Sequence, residues 1–279
     1  MAISLSTLFQ LAEMGVLSAD TRTVVDIGSS NLQLTTVDDM LRFVQKFKQQ
    51  APDDTLRATA RRMAEGSGYT REHGGVNRAW VGELLELCGM RYTAFDISEM
   101  YNVELFDLNT QSVPEHRKHG ADLVLNFGTT EHVFNQYNAF QVIHDLCKPG
   151  GYIVHHLPAS GFCDHGYFQY TGRFMFEMCA INKYELVFAD YGQPAKCDLY
   201  WSAKQYAEHF TALEKFSTME AVYISSYCLL IIFRKNSDNA FQVAMETSTS
   251  VNKNISIQNP AHIASKYVKK LLSRIGLYR

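Results

Sequence analysis

The chain has 279 residues, of which 46% are hydrophobic and 12% aromatic, and this composition predicts a folded domain with a sizeable core. Its formal net charge of -3 argues against nucleic acid as a partner and favours a small or neutral substrate. The six cysteines include no CxxC pair and stand mostly in apolar segments, which predicts reduced thiols and a cytoplasmic protein. No apolar run approaches the roughly 20 residues that cross a bilayer, and the first residues lack the basic leader of a signal peptide.

A helix and a strand are predicted at the start of the chain. Residues 4–17 repeat leucine at the spacing of one helical face, which predicts an amphipathic helix that covers a sheet. Residues 23–27 are a short apolar run and predict a strand. This strand contains Asp26, ends at Gly28 and is followed by a turn that begins with Ser29.

A helical insertion is predicted at residues 33–75, between the first strand and the second. Residues 37–47 and 56–63 have helical patterns, and a turn at Pro52 separates them. Glycine-rich loops follow the second of these helices. Because the insertion comes directly after a candidate binding loop, we expect it to cap the pocket. The alternative is an insertion that packs on the flank of the fold and has no role in binding.

Two more strands are predicted, and each is followed by an aspartate. Residues 92–95 are of β type and lead into Asp96 and Ile97. A carboxylate at such a strand end offers paired acceptor oxygens for the two hydroxyls of a ribose. Residues 103–106 form the third strand, and Asp107 comes directly after it.

The clearest pattern lies in residues 122–158. A buried strand at 123–125 is followed by a helix whose apolar residues repeat over 133–147, and a turn at Pro149 leads into a strand at 152–157. Strand, helix and strand form a right-handed crossover, and ligands of such sheets lie beyond the carboxyl ends of the strands. The residues predicted at that edge are Asn126, Phe127, Gly128, Thr129, Glu131, His132, His155 and His156.

The segments DLVLNFGTTEHV and KPGGYIVHHLP resemble the fourth and fifth strand motifs of class I methyltransferases, the Rossmann-like enzymes that use S-adenosylmethionine. The resemblance covers about residues 21–235. It implies an α/β fold, with a mostly parallel seven-stranded sheet, helices on both faces and an antiparallel last strand. The first loop departs from the family, because Ser30 stands where a second glycine is usual and the third glycine is also missing.

The same resemblance implies a cofactor site for S-adenosylmethionine across the strand ends. In the family, an aspartate in the place of Asp107 accepts a hydrogen bond from the adenine amino group, and the next amide, here that of Leu108, meets a ring nitrogen. The predicted cofactor-binding residues are Asp26, Gly28, Ser29, Asp96, Ile97, Asp107, Leu108, Asn126, Phe127 and Gly128.

Histidines are the candidate catalytic residues. Methyl transfer from a sulfonium is an in-line displacement that requires alignment and, for many acceptors, removal of a proton. We expect His165, His156 or His132 to take that proton, because imidazole titrates near a pH of about 6.5. As an alternative, His156, Asp164 and His165 supply ligand types suited to a divalent metal ion, although their spacing matches no compact metal motif.

Two other functions stay open at this point. Tyr200 and Lys204 match the YxxxK pattern of short-chain dehydrogenases, which would make the chain an NAD(P)-dependent oxidoreductase. The incomplete glycine loop also allows a non-catalytic domain that only binds a cofactor.

Three segments are predicted along the chain. Residues 1–235 form the methyltransferase-like domain, residues 236–259 a polar linker, and residues 260–279 a basic amphipathic helix. Such a helix can rest on an anionic membrane or on a second subunit. The predicted activity is methylation of an oxygen or nitrogen atom of a small molecule, with no nucleic-acid partner.

Overall fold

The computed structural model describes residues 2–33, 35–48, 51–68, 77–162, 165–192, 197–200 and 222–244. These residues belong to the first of two compact units, Met1–Ala244. The second unit, Met245–Arg279, contains the predicted C-terminal helix and lies outside the described residues. No helix in the described ranges is long and apolar enough to cross a membrane.

The described chain forms strands and helices that alternate through most of its length. The strands are β1 (Ala2–Ile3), β2 (Thr23–Ile27), β3 (Asn31–Leu32), β4 (Arg91–Asp96), β5 (Val103–Leu105), β6 (Ala121–Phe127), β7 (Cys147–Ser160), β8 (Glu185–Tyr191), β9 (Cys197–Tyr200), β10 (Val222–Ser225) and β11 (Tyr227–Arg234). The helices are α1 (Leu5–Glu13), α2 (Val37–Phe47), α3 (Asp54–Gly66), α4 (Val81–Leu87), α5 (Gln136–Leu146) and α6 (Gly172–Ile181).

The central sheet of the described chain has seven strands in the order β5-β4-β2-β6-β7-β11-β8. The strands from β5 to β7 run parallel, whereas β11 is antiparallel to both β7 and β8. This arrangement confirms the predicted α/β fold with an antiparallel last strand. The carboxyl ends of β2, β4, β5, β6 and β7 therefore lie along one edge.

Two apolar layers cover the faces of this sheet. Alternation along β2 sends Val24 into one layer and Val25 into the other. The layer of Val24 contains buried residues of α1, α2 and α4, and the layer of Val25 contains buried residues of α5 and α6. The helices on both faces were predicted from their apolar spacing, and the structure confirms them.

The helices of the insertion belong to the core of one face. Met40 and Phe43 of α2 and Met63 of α3 are at most 1% exposed and pack in the same layer as α1 and α4. Deleting the insertion would therefore uncover the core, so a deletion cannot test the cap without unfolding the domain. Residues 69–76 of the predicted insertion lie outside the described residues, and its capping role stays a prediction.

Residues 236–244, predicted as the start of a loose linker, pack on the domain. Phe241 is buried, and the backbone N–H of Gln242 donates to Asn182 Oδ1 at 2.8 Å. Asn182 Nδ2 in turn donates to the Gln242 carbonyl at 3.0 Å. These contacts attach Phe241 and Gln242 to the domain, and a linker over residues 236–259 stays a prediction, because residues 245–259 lie outside the described residues.

Candidate active site

A cavity of about 490 Å³ opens at the carboxyl ends of β2, β4 and β5. This volume lies within the range of about 300–1,000 Å³ that is common for small-molecule sites. Six of the predicted cofactor-binding residues line it: Gly28, Ser29, Asp96, Ile97, Asp107 and Leu108. The short turns that follow these three strands therefore form one wall.

Gly28 begins the loop at the centre of that wall. Its φ of 84° is in the left-handed region, which glycine adopts without the strain that a side chain adds. Its N–H donates to the Phe95 carbonyl at 2.8 Å, which ties β2 to β4. A Cβ atom at this position would collide with Oγ1 of Thr129, which itself donates to the Ile27 carbonyl at 2.5 Å. The loop can therefore approach the segment after β6 only because residue 28 has no side chain.

The Asp96 carboxylate faces the cavity and is held by two backbone amides. The N–H of Ser29 donates to Oδ2 and the N–H of Ser98 donates to Oδ1, each at 3.0 Å. An ionised carboxylate offers roughly four acceptor positions, so about two remain for a ligand. Asp96 therefore combines a fixed orientation with spare acceptor capacity.

The Asp107 carboxylate is more fully occupied. Asn109 donates from its backbone at 2.8 Å and from its side chain at 3.2 Å, both to Oδ1, and Thr110 Oγ1 donates to Oδ2 at 2.8 Å. These hydrogen bonds, the Asn109 amide foremost, lower the pKa of Asp107. About one acceptor position is left for a ligand, beside the buried side chains of Phe106 and Leu108.

Asp26, predicted to bind the cofactor, does not line the cavity. It is 0% exposed, and its Oδ2 accepts from Tyr92 OH at 2.8 Å and from the Ser30 N–H at 3.1 Å. Burial raises the pKa of Asp26 to about 7, against the opposing hydrogen bonds from Tyr92 and Ser30. Asp26 therefore holds the loop after β2 from its buried side. In place of the predicted direct contact with the cofactor, the structure gives Asp26 a supporting role for this cavity.

Asn126, Phe127 and Gly128, also predicted to bind the cofactor, are not among the residues that line the cavity, and their part in cofactor binding stays a prediction. Asn126 is fully buried and uses its Nδ2 on Thr130 Oγ1 and His155 Nδ1, both at 3.0 Å. β6 lies between β2 and β7, and a 3₁₀ turn, Thr130–His132, follows it directly. The cavity wall on this side is formed by the next residues along the chain, among them Thr129, His132 and Val133.

The three predicted catalytic histidines have different surroundings. His132 lines the cavity, and the ring of His165 lies 5.0 Å from its ring, centroid to centroid. His156 packs against Phe127 at 5.5 Å and does not line the cavity. Its neighbour His155 is buried on the opposite face of β7, and burial lowers the pKa of His155 to about 3.

Glu131 lies between His132 and His165, and we call these three residues the histidine cluster. Glu131 Oε1 is 3.7 Å from His165 Nε2 and 4.0 Å from His132 Nε2. The glutamate side chain is 1% exposed, whereas the imidazoles are 44% (His132) and 45% (His165) exposed. Burial lowers the pKa of His132, and the Glu131 carboxylate opposes that shift. Glu131 was predicted at this edge of the sheet but not as a catalytic or metal-binding residue, and only the fold shows that its carboxylate lies near two imidazoles.

Backbone hydrogen bonds bring His165 to this position. The Glu131 carbonyl accepts from the N–H groups of Tyr167 at 2.8 Å and Phe168 at 3.2 Å. A Cβ at Gly166 would lie 2.9 Å from Glu131 Cγ, so the close approach requires glycine there. The loop after β7 is therefore attached to the turn after β6. Asp164, predicted as a metal ligand beside His165, lies outside the described residues.

Several cavity residues were not selected from the sequence. Trp80 lines the cavity together with Met100, Asn31 and Asn77. Trp80 stands immediately before α4, and this helix leads into β4. An aromatic residue at that junction lies at the carboxyl edge by topology, and this is the signal that could have identified it. Tyr170, in the segment after β7, does not line the cavity; it is buried and donates to Gln136 Oε1 at 2.7 Å.

Comparison with known proteins assigns the family. A family model described as a methyltransferase domain matches residues 72–213, half of the chain, whereas no curated protein matches. One similar solved structure is the 1,6-didemethyltoxoflavin-N1-methyltransferase of Burkholderia thailandensis with bound 1,6-didemethyltoxoflavin and S-adenosylhomocysteine. It has 14% identity and a TM-score of 0.40, with 83% of this chain and 77% of that chain covered.

A second similar structure is a SAM-dependent methyltransferase from Archaeoglobus fulgidus, with 12% identity, a TM-score of 0.40, and coverage of 82% of this chain and 94% of that chain. The oxidoreductase alternative gains no support, since Tyr200 ends β9 and Lys204 lies outside the described residues. The family match and the strand order agree with the motifs in the sequence. The protein therefore belongs to the methyltransferase domain family and is a class I methyltransferase that uses S-adenosylmethionine.

Proposed function

We propose that this enzyme methylates an oxygen or nitrogen atom of a small molecule at the carboxyl edge of the sheet. The observation that carries the proposal is the anchored Asp96 carboxylate, which points spare acceptor positions into a cavity of about 490 Å³. A ribose with two neighbouring hydroxyls fits such a pair of acceptor oxygens. The net charge of -3 further favours a small acceptor over a polyanion.

The residues of the first wall fit the parts of the cofactor. Gly28 and Ser29 form a loop whose backbone can approach the methionine part closely. Asp96 accepts from the ribose hydroxyls, and Ile97 and Leu108 offer apolar surface to the adenine ring. Asp107 keeps about one acceptor position for the adenine amino group. When bound, the cofactor supplies an electrophilic methyl group on a sulfonium.

The acceptor is proposed to bind on the opposite side, toward Thr129 and the histidine cluster. His132 lines the cavity there, and Glu131 lies beside it. A hydroxyl or ammonium acceptor has to lose a proton, and a positioned imidazole is suited to receive it. Trp80 and Met100 add an aromatic and an apolar surface against which a flat small molecule can align.

Calorimetric titration of the purified protein tests the cofactor assignment. S-Adenosylmethionine and S-adenosylhomocysteine are expected to bind with one site per chain, and NADH is expected not to bind. Binding of NADH alone would contradict the assignment. The NADH titration also separates the methyltransferase from the dehydrogenase alternative, because a dehydrogenase of that class has to bind the dinucleotide.

A turnover screen tests the acceptor class. Release of S-adenosylhomocysteine is measured with a panel of phenols, catechols, small amines and heterocycles, and with transfer RNA and peptides as the matched macromolecular panel. Turnover is expected with a member of the first panel. Activity confined to RNA or peptides would contradict a small-molecule acceptor while leaving cofactor binding intact.

A further inference from the structure

The histidine cluster has the composition and spacing of a metal site. One ligand atom from each of Glu131, His132 and His165 can be chosen so that all three lie within 4.8 Å of one another. In a tetrahedral zinc site with bonds of about 2.0–2.2 Å, neighbouring ligand atoms are about 3.3 Å apart. The observed separations from Glu131 Oε1, 3.7 Å and 4.0 Å, are thus larger by less than about 1 Å.

A second observation concerns the buried carboxylate itself. Glu131 is 1% exposed, and among the described residues its Oε2 has no hydrogen-bond partner. The two nearest imidazole nitrogens lie at 3.7 Å and 4.0 Å, beyond the distance of a hydrogen bond to Oε1. A carboxyl group buried without such a partner is stabilised by a hydrogen bond or by a neighbouring positive charge. A cation between the carboxylate and the imidazoles would supply that charge.

The third observation is that the cluster is assembled by the fold. Glu131 and His132 are neighbours in the 3₁₀ turn after β6, whereas His165 comes from the loop after β7. The two N–H groups that donate to the Glu131 carbonyl, together with the close approach of Gly166, hold this loop in place. The ligand atoms are therefore brought together by backbone contacts that do not involve the ligand side chains.

We propose that Glu131, His132 and His165 bind a divalent transition-metal ion of the zinc type at the edge of the cavity. Two imidazoles and one carboxylate suit such ions and leave coordination positions for water or substrate. Because His132 lines the cavity, an open position can face the acceptor. The ligand set differs from the one predicted from the sequence, since Glu131 and His132 take part, His156 does not, and Asp164 lies outside the described residues.

The metal site adds detail to the proposed function. Its role in turnover rests on the proposal that the acceptor binds beside the histidine cluster. An acceptor hydroxyl bound to the ion becomes more acidic and loses its proton to water. The oxygen–methyl bond then forms as the sulfur–methyl bond breaks, and the electron pair stays on the sulfur of S-adenosylhomocysteine. The ion is neither oxidised nor reduced, and the imidazoles act as ligands in this state.

Metal binding can be measured without any acceptor. The tag-free protein is treated with a chelator and titrated with Zn²⁺ in a calorimeter and with Co²⁺ by visible absorption. One ion is expected to bind per chain. Glu131→Gln, His132→Ala and His165→Ala are each expected to weaken Zn²⁺ binding by at least about 100-fold, because losing a ligand costs more than losing an outer partner. His116→Ala, an exposed histidine elsewhere, is the matched control and is expected to bind like the parent protein.

The outcomes separate the metal site from the methyltransferase assignment. Zn²⁺ binding that is absent in the parent protein, or equally tight in all three cluster variants, overturns the metal site. S-Adenosylmethionine affinity is measured on the same samples, so a protein that binds cofactor and no metal keeps its proposed function. The histidine variants remove half-exposed side chains and are expected to fold, and circular dichroism and thermal unfolding check Glu131→Gln.

Discussion

The two ends of the cavity edge are built differently. At the proposed cofactor end, after β4, backbone amides of Ser29 and Ser98 hold the carboxylate of Asp96. At the proposed acceptor end, after β6, the buried carboxylate of Glu131 has one oxygen with no partner among the described residues, and two half-exposed imidazoles lie near the other. The first carboxylate is fixed by the backbone and keeps acceptor positions for a ligand, whereas the second keeps a buried oxygen that a proton, an acceptor or an ion can pair with.

The largest expected effect comes from breaking the acceptor end. His165→Ala at saturating S-adenosylmethionine is expected to lower kcat by about 100-fold to 10,000-fold, because the acceptor then loses its route for proton removal. His132→Ala is expected to behave similarly, since the two rings are 5.0 Å apart. The affinity for S-adenosylmethionine, measured by calorimetry, is expected to stay unchanged in both variants.

His156→Ala provides the comparison within the same region. Its ring packs on Phe127 and does not line the cavity, so we expect a loss of less than about tenfold in kcat. If His132→Ala and His165→Ala also lose less than about tenfold, alignment alone drives transfer and the cluster has no part in proton removal.

The next effect comes from breaking the cofactor end. Asp96→Ala removes two acceptor oxygens for the ribose hydroxyls, and charge-assisted hydrogen bonds contribute about 1.5–3 kcal/mol. We expect S-adenosylmethionine to bind about 10-fold to 100-fold more weakly in a calorimetric titration. Asp107→Asn is expected to have a smaller effect, because three of its acceptor positions are already occupied. Asp38→Asn, on an exposed part of α2, is the control, and an unchanged Kd in Asp96→Ala would remove the ribose assignment.

The difference between the two ends also explains what the sequence could predict. Asp96 and Asp107 each follow directly after a strand, and parallel strands of one sheet end at one edge, so local pattern was enough to place them. Asn126 also stands at a strand end. Its strand lies in the middle of the sheet and is capped by the next turn, so its side chain is buried.

The acceptor end depends on contacts that no local pattern contains. Glu131 and His165 come together because the loop after β7 donates backbone hydrogen bonds to the turn after β6. Sequence spacing does not indicate such a contact. Glu131 and His132 are both predicted at this edge of the sheet, but only the fold shows that they form one cluster with His165. The 3.6-residue and two-residue periods that identified the helices and strands describe burial and carry no information on loop placement.

A smaller effect is expected from the glycine that joins the two ends. Gly28→Ala introduces a side chain at a φ of 84° and a collision with Thr129 Oγ1. The expected loss in the free energy of unfolding is about 1–3 kcal/mol, read from urea denaturation. Gly15→Ala is the matched control, since Gly15 has a φ of 73° and a Cβ atom added there would have no neighbour within 4 Å among the described residues. Equal losses in the two variants would show that backbone strain alone, and no contact with Thr129, is responsible.

The last effect is on the pH dependence of stability and concerns Asp26, which lies beneath the proposed cofactor end. Burial raises its pKa from 3.8 to about 7, so between these values the folded state keeps a proton that the unfolded state has lost. The stability that this proton contributes is complete below pH 3.8 and is lost as the pH rises through about 7.

Asp26→Asn isolates that contribution, because the amide keeps an acceptor for Tyr92 and Ser30 but does not titrate. Burial lowers the pKa of His155 to about 3, so His155 changes stability in the opposite direction, and its contribution is lost as the pH falls below about 6.5. Both proteins contain His155, so its contribution cancels in the difference between their free energies of unfolding. We expect the variant to gain stability relative to the parent between about pH 4 and pH 7, by at most about 1.4 kcal/mol per pH unit. Urea unfolding at about pH 5 and pH 7 measures it, and parallel curves for the two proteins would mean that Asp26 stays ionised and that the cofactor loop rests on a buried charge.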